Sequence, residues 1–451
     1  MKNLVKAFWH AVLKFLGFAS TPSTVETPEV QPVPEPAPDP VIIPTEPPIV
    51  VEPMPDLPVE VMPEPPKEAP VKPDPVIETK PQPVPVEPPA PAKPDPVVIP
   101  TTPKPDTKPQ PLPPAAEKTG RDLPFRFGGA IKEPVVKNPK CAALVNKHFG
   151  PVTLEYQSQM NVVHPDAKTW NFKEVDKVTK WCKENDHPVH LHCEFWPMKL
   201  KNNPQWAALP KTKEAFNKQI KSDVYNYIGH FAKDGVGESV DVWNEFYEEG
   251  KNGVPKSNII LDNMGMDGFY RPFYYTKEAN PNIKTFFNEY GQEFGGNKVK
   301  GMLAMVDDCL KKGVPLDGIG FQMHLTLPML KKDKLKSIRE NFLKFADKGM
   351  QIRVSEFDIR LFKDINGRDI RNAKKKVDVT ADMLEQQAEL AYEVKQAYMA
   401  VPKELQYAFI AWGVDDETHN ENLGASVNND FPLFFDNNLE PKPVFERFVS
   451  G

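Results

Sequence analysis

The chain has 451 residues, with 62 acidic side chains against 56 basic ones and a formal net charge of −6, so it lacks the basic footprint of a nucleic-acid partner. Of its 52 prolines, 34 fall between Thr21 and Gly120, where backbone donors are missing every second or third position and aromatic residues are all but absent. That composition excludes a packed core in this segment. Cys141, Cys182, Cys193 and Cys309 share no close metal-type spacing, so four buried thiols are expected rather than a disulfide framework or a zinc site.

Residues 1–20 place Lys2, Lys6, His10 and Lys14 on one helical stripe, with Leu4, Val5, Phe8, Trp9, Val12, Leu13, Phe15 and Leu16 around the rest. The pattern fits a helix in a membrane interface, a secretory signal peptide, or a docking helix. The segment is too short and too charged for a transmembrane span. Residues 21–120 repeat Pro-Asp-Pro-Val at Pro38, Pro73 and Pro94. Proline at this density favours a semi-rigid polyproline II rod, a spacer rather than a tether. A ligand for proline-recognition domains is the competing reading.

Residues 121–451 alternate short apolar runs with amphipathic stretches and are long enough for one large core. Strands are predicted at 125–130, 152–157, 189–196, 239–246, 283–290, 318–325, 351–359 and 405–414. Helices are predicted at 172–185, 213–233, 302–312, 331–348 and 380–399. Eight strands, each with room for a following helix, predict an α/β fold of the (β/α)8 barrel type behind a disordered proline-rich stalk. An open doubly wound sheet is disfavoured, because no glycine-rich phosphate loop follows the first strand.

Polar residues gather at the ends of these strands, where barrel enzymes place their chemistry. Glu155 ends the second strand, His192 and Trp196 the third, and Asn244 and Glu245 the fourth. Asn288 and Glu289 end the fifth, Gln322 and His324 the sixth, Glu356 and Asp358 the seventh, and Trp412, Asp415 and Asp416 the eighth. Indole faces stack on sugar rings, while amides and carboxylates bond hydroxyls, so the rim suits carbohydrate. Glu245 and Glu356, one on each of two strands, are the minimum equipment for cleaving a glycosidic bond. Single residues also have a plain reading: a rim salt bridge for a glutamate, packing for Trp170, Trp181 or Trp206, and a surface or core position for His187 or His230.

The order of motifs resembles the family 10 glycoside hydrolases, the endo-β-1,4-xylanases, across essentially the whole folded part. Phe127-Gly128-Gly129-Ala130 is similar to the family's opening strand, and Val152-Thr153-Leu154-Glu155 and Val189-His190-Leu191-His192 to its second and third. Val240-Asp241-Val242-Trp243-Asn244-Glu245 resembles the family's Trp-Asp-Val-Val-Asn-Glu. Gly318-Ile319-Gly320-Phe321-Gln322-Met323-His324 resembles its sixth strand, and Val354-Ser355-Glu356-Phe357-Asp358-Ile359 its Ile-Thr-Glu-Leu-Asp-Ile. Trp412-Gly413-Val414 and the run from Pro432 to Pro443 resemble the close of the fold.

The resemblance implies Glu245 as general acid/base, Glu356 as nucleophile, and Asn244 against the sugar 2-hydroxyl. It places Gln322 and His324 beside the nucleophile, and Glu155, His192, Trp196 and Trp412 in substrate binding. Such a mechanism is a double displacement with retention, with carboxyls about 5–5.5 Å apart, Glu245 entering protonated and Glu356 ionised. It requires neither metal nor organic cofactor.

Four positions depart from the family pattern: Tyr156 for Asn, Gln159 for Lys, Pro197 for His and Asn420 for a second Trp. In the family these line the sugar subsites on the non-reducing side. Retention of both glutamates beside an altered grip implies a different or decorated β-glycan as substrate. A carbohydrate-binding surface protein without turnover is the alternative. The expected chain is a monomeric, secreted or surface-associated hydrolase acting on polysaccharide, with residues 1–20 contacting a membrane surface or partner.

Overall fold

In a computed structural model, the described residues are 118–200, 203–249, 253–371, 377–417 and 430–451. The expectations for the N-terminal helix, for the stalk up to residue 117 and for Asn420 lie outside them.

Nine strands run in one direction: β1 (Phe127–Ile131), β2 (Val152–Leu154), β3 (Val189–Phe195), β4 (Ser239–Asn244), β5 (Lys284–Glu289), β6 (Gly318–Phe321), β7 (His324–Thr326), β8 (Gln351–Arg360) and β9 (Gln406–Ala411). Pairing of β1 with β9 and of β6 with β8 closes them into a barrel of eight staves. The sixth stave is split. The predicted strand at 318–325 breaks at Gln322-Met323, where Met323 has φ 62°, and resumes as β7 alongside Asp358–Arg360 of β8.

Each stave is followed by a helix of eight residues or more: α1 (Pro139–His148), α2 (Lys173–Glu184), α3 (Lys213–Lys233), α4 (Asp267–Ala279), α5 (Gly296–Lys312), α6 (Lys332–Ala346), α7 (Ala381–Met399) and α8 (Pro443–Ser450). Helix α4 escapes sequence periodicity because it is aromatic on most faces and carries Pro272 inside. Side-chain caps start several of the others; Thr212 and Thr380 accept from the backbone N–H of Ala215 and Met383.

Parallel strands covered by helices are buried on both faces, and β1 to β4 are buried at every residue, the histidines and acids of β3 and β4 included. Their outward residues meet the helices in one continuous core. The lower interior of the barrel is plugged separately by Phe286, Tyr407, Ala408 and Ile410. Below that plug Arg126 holds Glu238 through two bonds of 2.6 and 2.7 Å.

Three bulges set the mouth of the barrel. Against β4 and β5, extra residues interrupt the register after His192 in β3 and after Asp241 in β4. Against β9, β8 gains one between Val354 and Phe357. A bulge shifts the in–out alternation by one. Hence Trp243 and Phe357 turn outward onto Phe269 and Phe434, while Asn244, Glu356 and Asp358 turn inward.

All four cysteines are buried and unpaired. Trp170, Trp181 and Trp206 pack against His164, His187 and Phe195 respectively, as their plain reading expects.

Candidate active site

The interior polar layer beneath the mouth is centred on Asp241 of β4. Its Oδ2 lies 2.9 Å from His190 Nε2 and 2.8 Å from His192 Nδ1, with Arg353 Nη1 at 4.0 Å. Burial resists charge here, yet these neighbours hold the Asp241 carboxyl far below the usual carboxylate range. Burial is the largest influence on both histidines: it takes the His190 pKa down to about 4, whereas at His192 Asp241 and Glu356 together outweigh it and the pKa is raised. Arg353 also donates to Thr153 Oγ1 in β2. His192 is therefore placed under the mouth by a buried ion cluster.

Above this layer the two glutamates share one hydrogen-bond network. Glu356 Oε1 accepts from Asn288 Nδ2 at 2.7 Å, and Oε2 lies 3.1 Å from His324 Nε2. The same Asn288 nitrogen donates to Asn244 Oδ1 at 2.9 Å. Gln322 Nε2 reaches Asn244 Oδ1 at 3.4 Å and Glu245 Oε1 at 3.2 Å. Trp196 Nε1 donates to Glu245 Oε2 at 3.1 Å, and Lys256 Nζ stands 3.9 Å from that oxygen. Glu245 follows β4 directly with φ 53°, a left-handed conformation that a non-glycine residue adopts only when its surroundings impose it.

His324 bridges two carboxylates, with Nδ1 2.8 Å from Asp358 Oδ2. Loss of water around most of the ring opposes charging it, but Asp358 and Glu356 together push its pKa up to about 10. A cationic imidazole thus faces Glu356 throughout the neutral range.

The structure brings together six of the nine residues singled out in the sequence: Glu245, Glu356, Asn244, Trp196, Gln322 and His324. Trp412 stands edge-on to His192 at 5.7 Å and to His324 at 6.3 Å, joining the group by ring contact. His192 stays buried against Asp241. Glu155 lies half-buried one position beyond β2, with Tyr156 59% exposed beside it. Gln159 is turned inward, its amide 3.5 Å from Glu155 O. Pro197 is buried at the start of a short turn of helix.

Other rim residues close the fold rather than face the mouth. Glu289 is fully buried, accepting from Tyr247 N and Tyr290 N and pairing with Lys298. Asp416, pushed up to about 7 by burial, holds Lys442 at 2.9 Å and Leu433 N at 2.8 Å.

A cleft of about 690 Å³ opens at the mouth, lined by Glu245, Gln322 and His324 and extending over Glu248, Glu249, Tyr290, Glu293, Phe294 and Lys298. Glu356 is not part of that lining; it sits 5% exposed beneath His324 and Asn288. Sequence reading missed Asp241, Arg353 and Glu293. The first two lie inside the barrel, and Glu293 lies in a short turn after β5. Among the described residues, one set has metal-ligand composition: Asp176, His230 and Asp234, on the outer helices. There His230 Nε2 already bonds Asp176 Oδ1 at 2.7 Å.

A closed parallel barrel whose mouth carries two bridged glutamates among amides and an indole defines a (β/α)8 glycoside hydrolase. Residues 117–451 match glycosyl hydrolase family 10, and the chain belongs to that family. It is 30% identical over 315 residues to a β-1,4-xylanase of Dictyoglomus thermophilum, covering 68% of this chain and 83% of that one. It is 28% identical to endo-1,4-β-xylanase C of Paenibacillus barcinonensis, covering 75% of this chain but 32% of that longer protein. Among solved structures, a family 10 enzyme of Paenibacillus barcinonensis superposes with a TM-score of 0.66 at 25% identity, covering 74% of this chain and 97% of that one. Xylanase 10C of Cellvibrio japonicus, solved with xylopentaose, gives 0.65 at 23% identity over 74% and 69%.

Proposed function

We propose that the chain hydrolyses a β-1,4-linked polysaccharide of the xylan type by double displacement, with Glu356 as nucleophile and Glu245 as acid/base. The observation that carries this reading is the network joining the two carboxylates through Asn288, Asn244 and Gln322. It holds both glutamates against one mouth with their oxygens committed to fixed donors, the preorganisation that glycosyl transfer requires.

In the first step Glu356 attacks the anomeric carbon while Glu245 delivers its proton to the departing oxygen. The bond from carbon to Glu356 forms as the glycosidic bond breaks. Glu245, now a carboxylate, takes a proton from water, whose oxygen displaces Glu356 from the same face that the leaving group left. His324 Nε2, 3.1 Å from Glu356 Oε2, orients that carboxylate for attack. Asn244 Oδ1 is occupied by two donors, which leaves the Asn244 amide hydrogens for the sugar 2-hydroxyl.

The inward turn of Gln159 and the exposure of Tyr156 favour a glycone grip unlike the family pattern, and with it a decorated or related β-glycan. Residues 1–20 and 21–120 are proposed as an attachment or export segment and a spacer, on a secreted or surface-held enzyme. Reducing-sugar release from xylan, mixed-linkage glucan and microbial β-glycans tests the function. Activity on at least one, lost in Glu245→Ala and Glu356→Ala with the fold intact, is the expected result. Binding without release on every polymer would favour the non-catalytic reading.

A further inference from the structure

The cleft includes Glu245 but not Glu356, so on the reading above it is the half that receives the leaving sugar. Its walls are rich in acceptors. Besides Glu245 they carry Glu248 and Glu249 from the loop after β4 and Glu293 from the turn after β5. Glu293 is 1% exposed, lines the cleft, and its Oε2 has no hydrogen-bond partner among the described residues. A buried carboxyl oxygen without a donor is costly unless a ligand supplies one or the group takes up a proton, and burial pushes the Glu293 pKa up to about 7.

The cations of the described lining are already committed. Lys298 bonds Glu289 and Tyr290 O and lies 3.9 Å over the Tyr290 ring. His324 is held between Asp358 and Glu356. Just outside the lining, Lys256 stands against Glu245 and over Tyr290. Phe294, 43% exposed on the same wall, offers an apolar face for a pyranose ring. A neutral sugar brings hydroxyl donors for these acceptors, whereas a carboxylate-bearing sugar brings a further acceptor and a like charge.

We propose that the leaving-group half of the cleft selects an uncharged, hydroxyl-donating pyranose and turns away one that carries a uronic-acid branch. A uronyl-decorated β-glycan is then cut where the first sugar of the leaving fragment is unbranched. The inference rests on the assignment of Glu245 as acid, which orients the cleft.

The test compares glucuronoxylan with the same polymer after chemical reduction of its uronyl carboxylates to neutral glucosyl branches, so that branch size stays fixed and charge changes. The full chain digests both, and mass spectrometry locates the branch on each product. Fragments with the branch on their non-reducing terminal sugar should be at least about tenfold rarer from the native polymer than from the reduced one. The gap should narrow at high salt and in a Glu248→Gln, Glu249→Gln double variant, both of which weaken the field at this wall. Equal yields of such fragments from the two polymers would overturn the inference, as would their absence from both, which would signify bulk rather than charge. Absence of all cleavage, or cleavage that survives Glu245→Ala, would overturn the acid assignment beneath it and the inference with it.

Discussion

Asn288 donates one amide hydrogen to Glu356 at 2.7 Å and the other to Asn244 at 2.9 Å, while its own oxygen accepts from Ser355 at 2.6 Å. One side chain from β5 thereby fixes the positions of residues on β4 and β8. Asn288→Ala should lower kcat about 10- to 100-fold and cost about 1–3 kcal/mol of stability, because buried groups lose partners. Asn288→Asp, although nearly isosteric, should be the worse variant in kcat, since it sets a carboxylate against Glu356. Steady-state kinetics with urea unfolding of both variants checks the order.

The room for that amide comes from Gly320 in β6. A Cβ built at Gly320 would overlap Asn288 Oδ1 and crowd Asn288 Cα at 3.3 Å. Gly320→Ala therefore should displace Asn288 and depress kcat by about an order of magnitude or more, although residue 320 does not line the cleft. Kinetics of Gly320→Ala beside Asn288→Ala tests this: the double variant should lose less than the product of the two single effects.

The pH dependence of stability follows from His324, whose pKa rises from 6.5 to about 10 on folding. Below pH 6.5 the folded and unfolded chains are both protonated there, and the stabilising contribution is complete. As pH rises from 6.5 towards about 10 the unfolded chain alone has lost the proton, so the contribution declines, and it vanishes beyond. The stability gap between the parent and His324→Gln should be widest at pH 6 and narrow steadily to pH 10 in denaturant titrations.

Asp241 sits at the centre of the buried cluster with His190, His192 and Arg353, and its carboxyl is held well below its usual range. Its contribution is present above the unfolded value of 3.8 and is lost as pH falls below it. Asp241→Asn strands a buried guanidinium and should cost about 3–5 kcal/mol. Thermal unfolding at neutral pH should show a large drop in Tm, with a smaller difference in acid.

The barrel was legible because eight apolar runs mark its staves, and seven of the nine residues singled out in the sequence come together at the mouth those staves build. What the sequence concealed has a common cause. Strict alternation would turn Glu356 outward from a strand whose Arg353 and Ser355 face inward; the bulge before Phe357 reverses it. The same holds for Asn244 after the bulge in β4. Asp241 and Arg353 escaped notice because a charge in the middle of a strand acquires meaning only from partners on other strands. The break at Met323 left no composition signal, since its positive φ falls on a residue that is not glycine.

The division of labour between the two glutamates is tested most directly by azide rescue. With Glu356 removed, azide enters the vacant space below the sugar and displaces the activated leaving group once, so Glu356→Ala acting on an aryl β-xylobioside should release an α-glycosyl azide. Glu245→Ala should form its covalent intermediate on Glu356 and release a β-glycosyl azide. Proton NMR distinguishes the two anomers. An α-azide from Glu356→Ala and a β-azide from Glu245→Ala are the predicted pair; the reversed pair, or parental hydrolysis in either variant, would contradict the assignment.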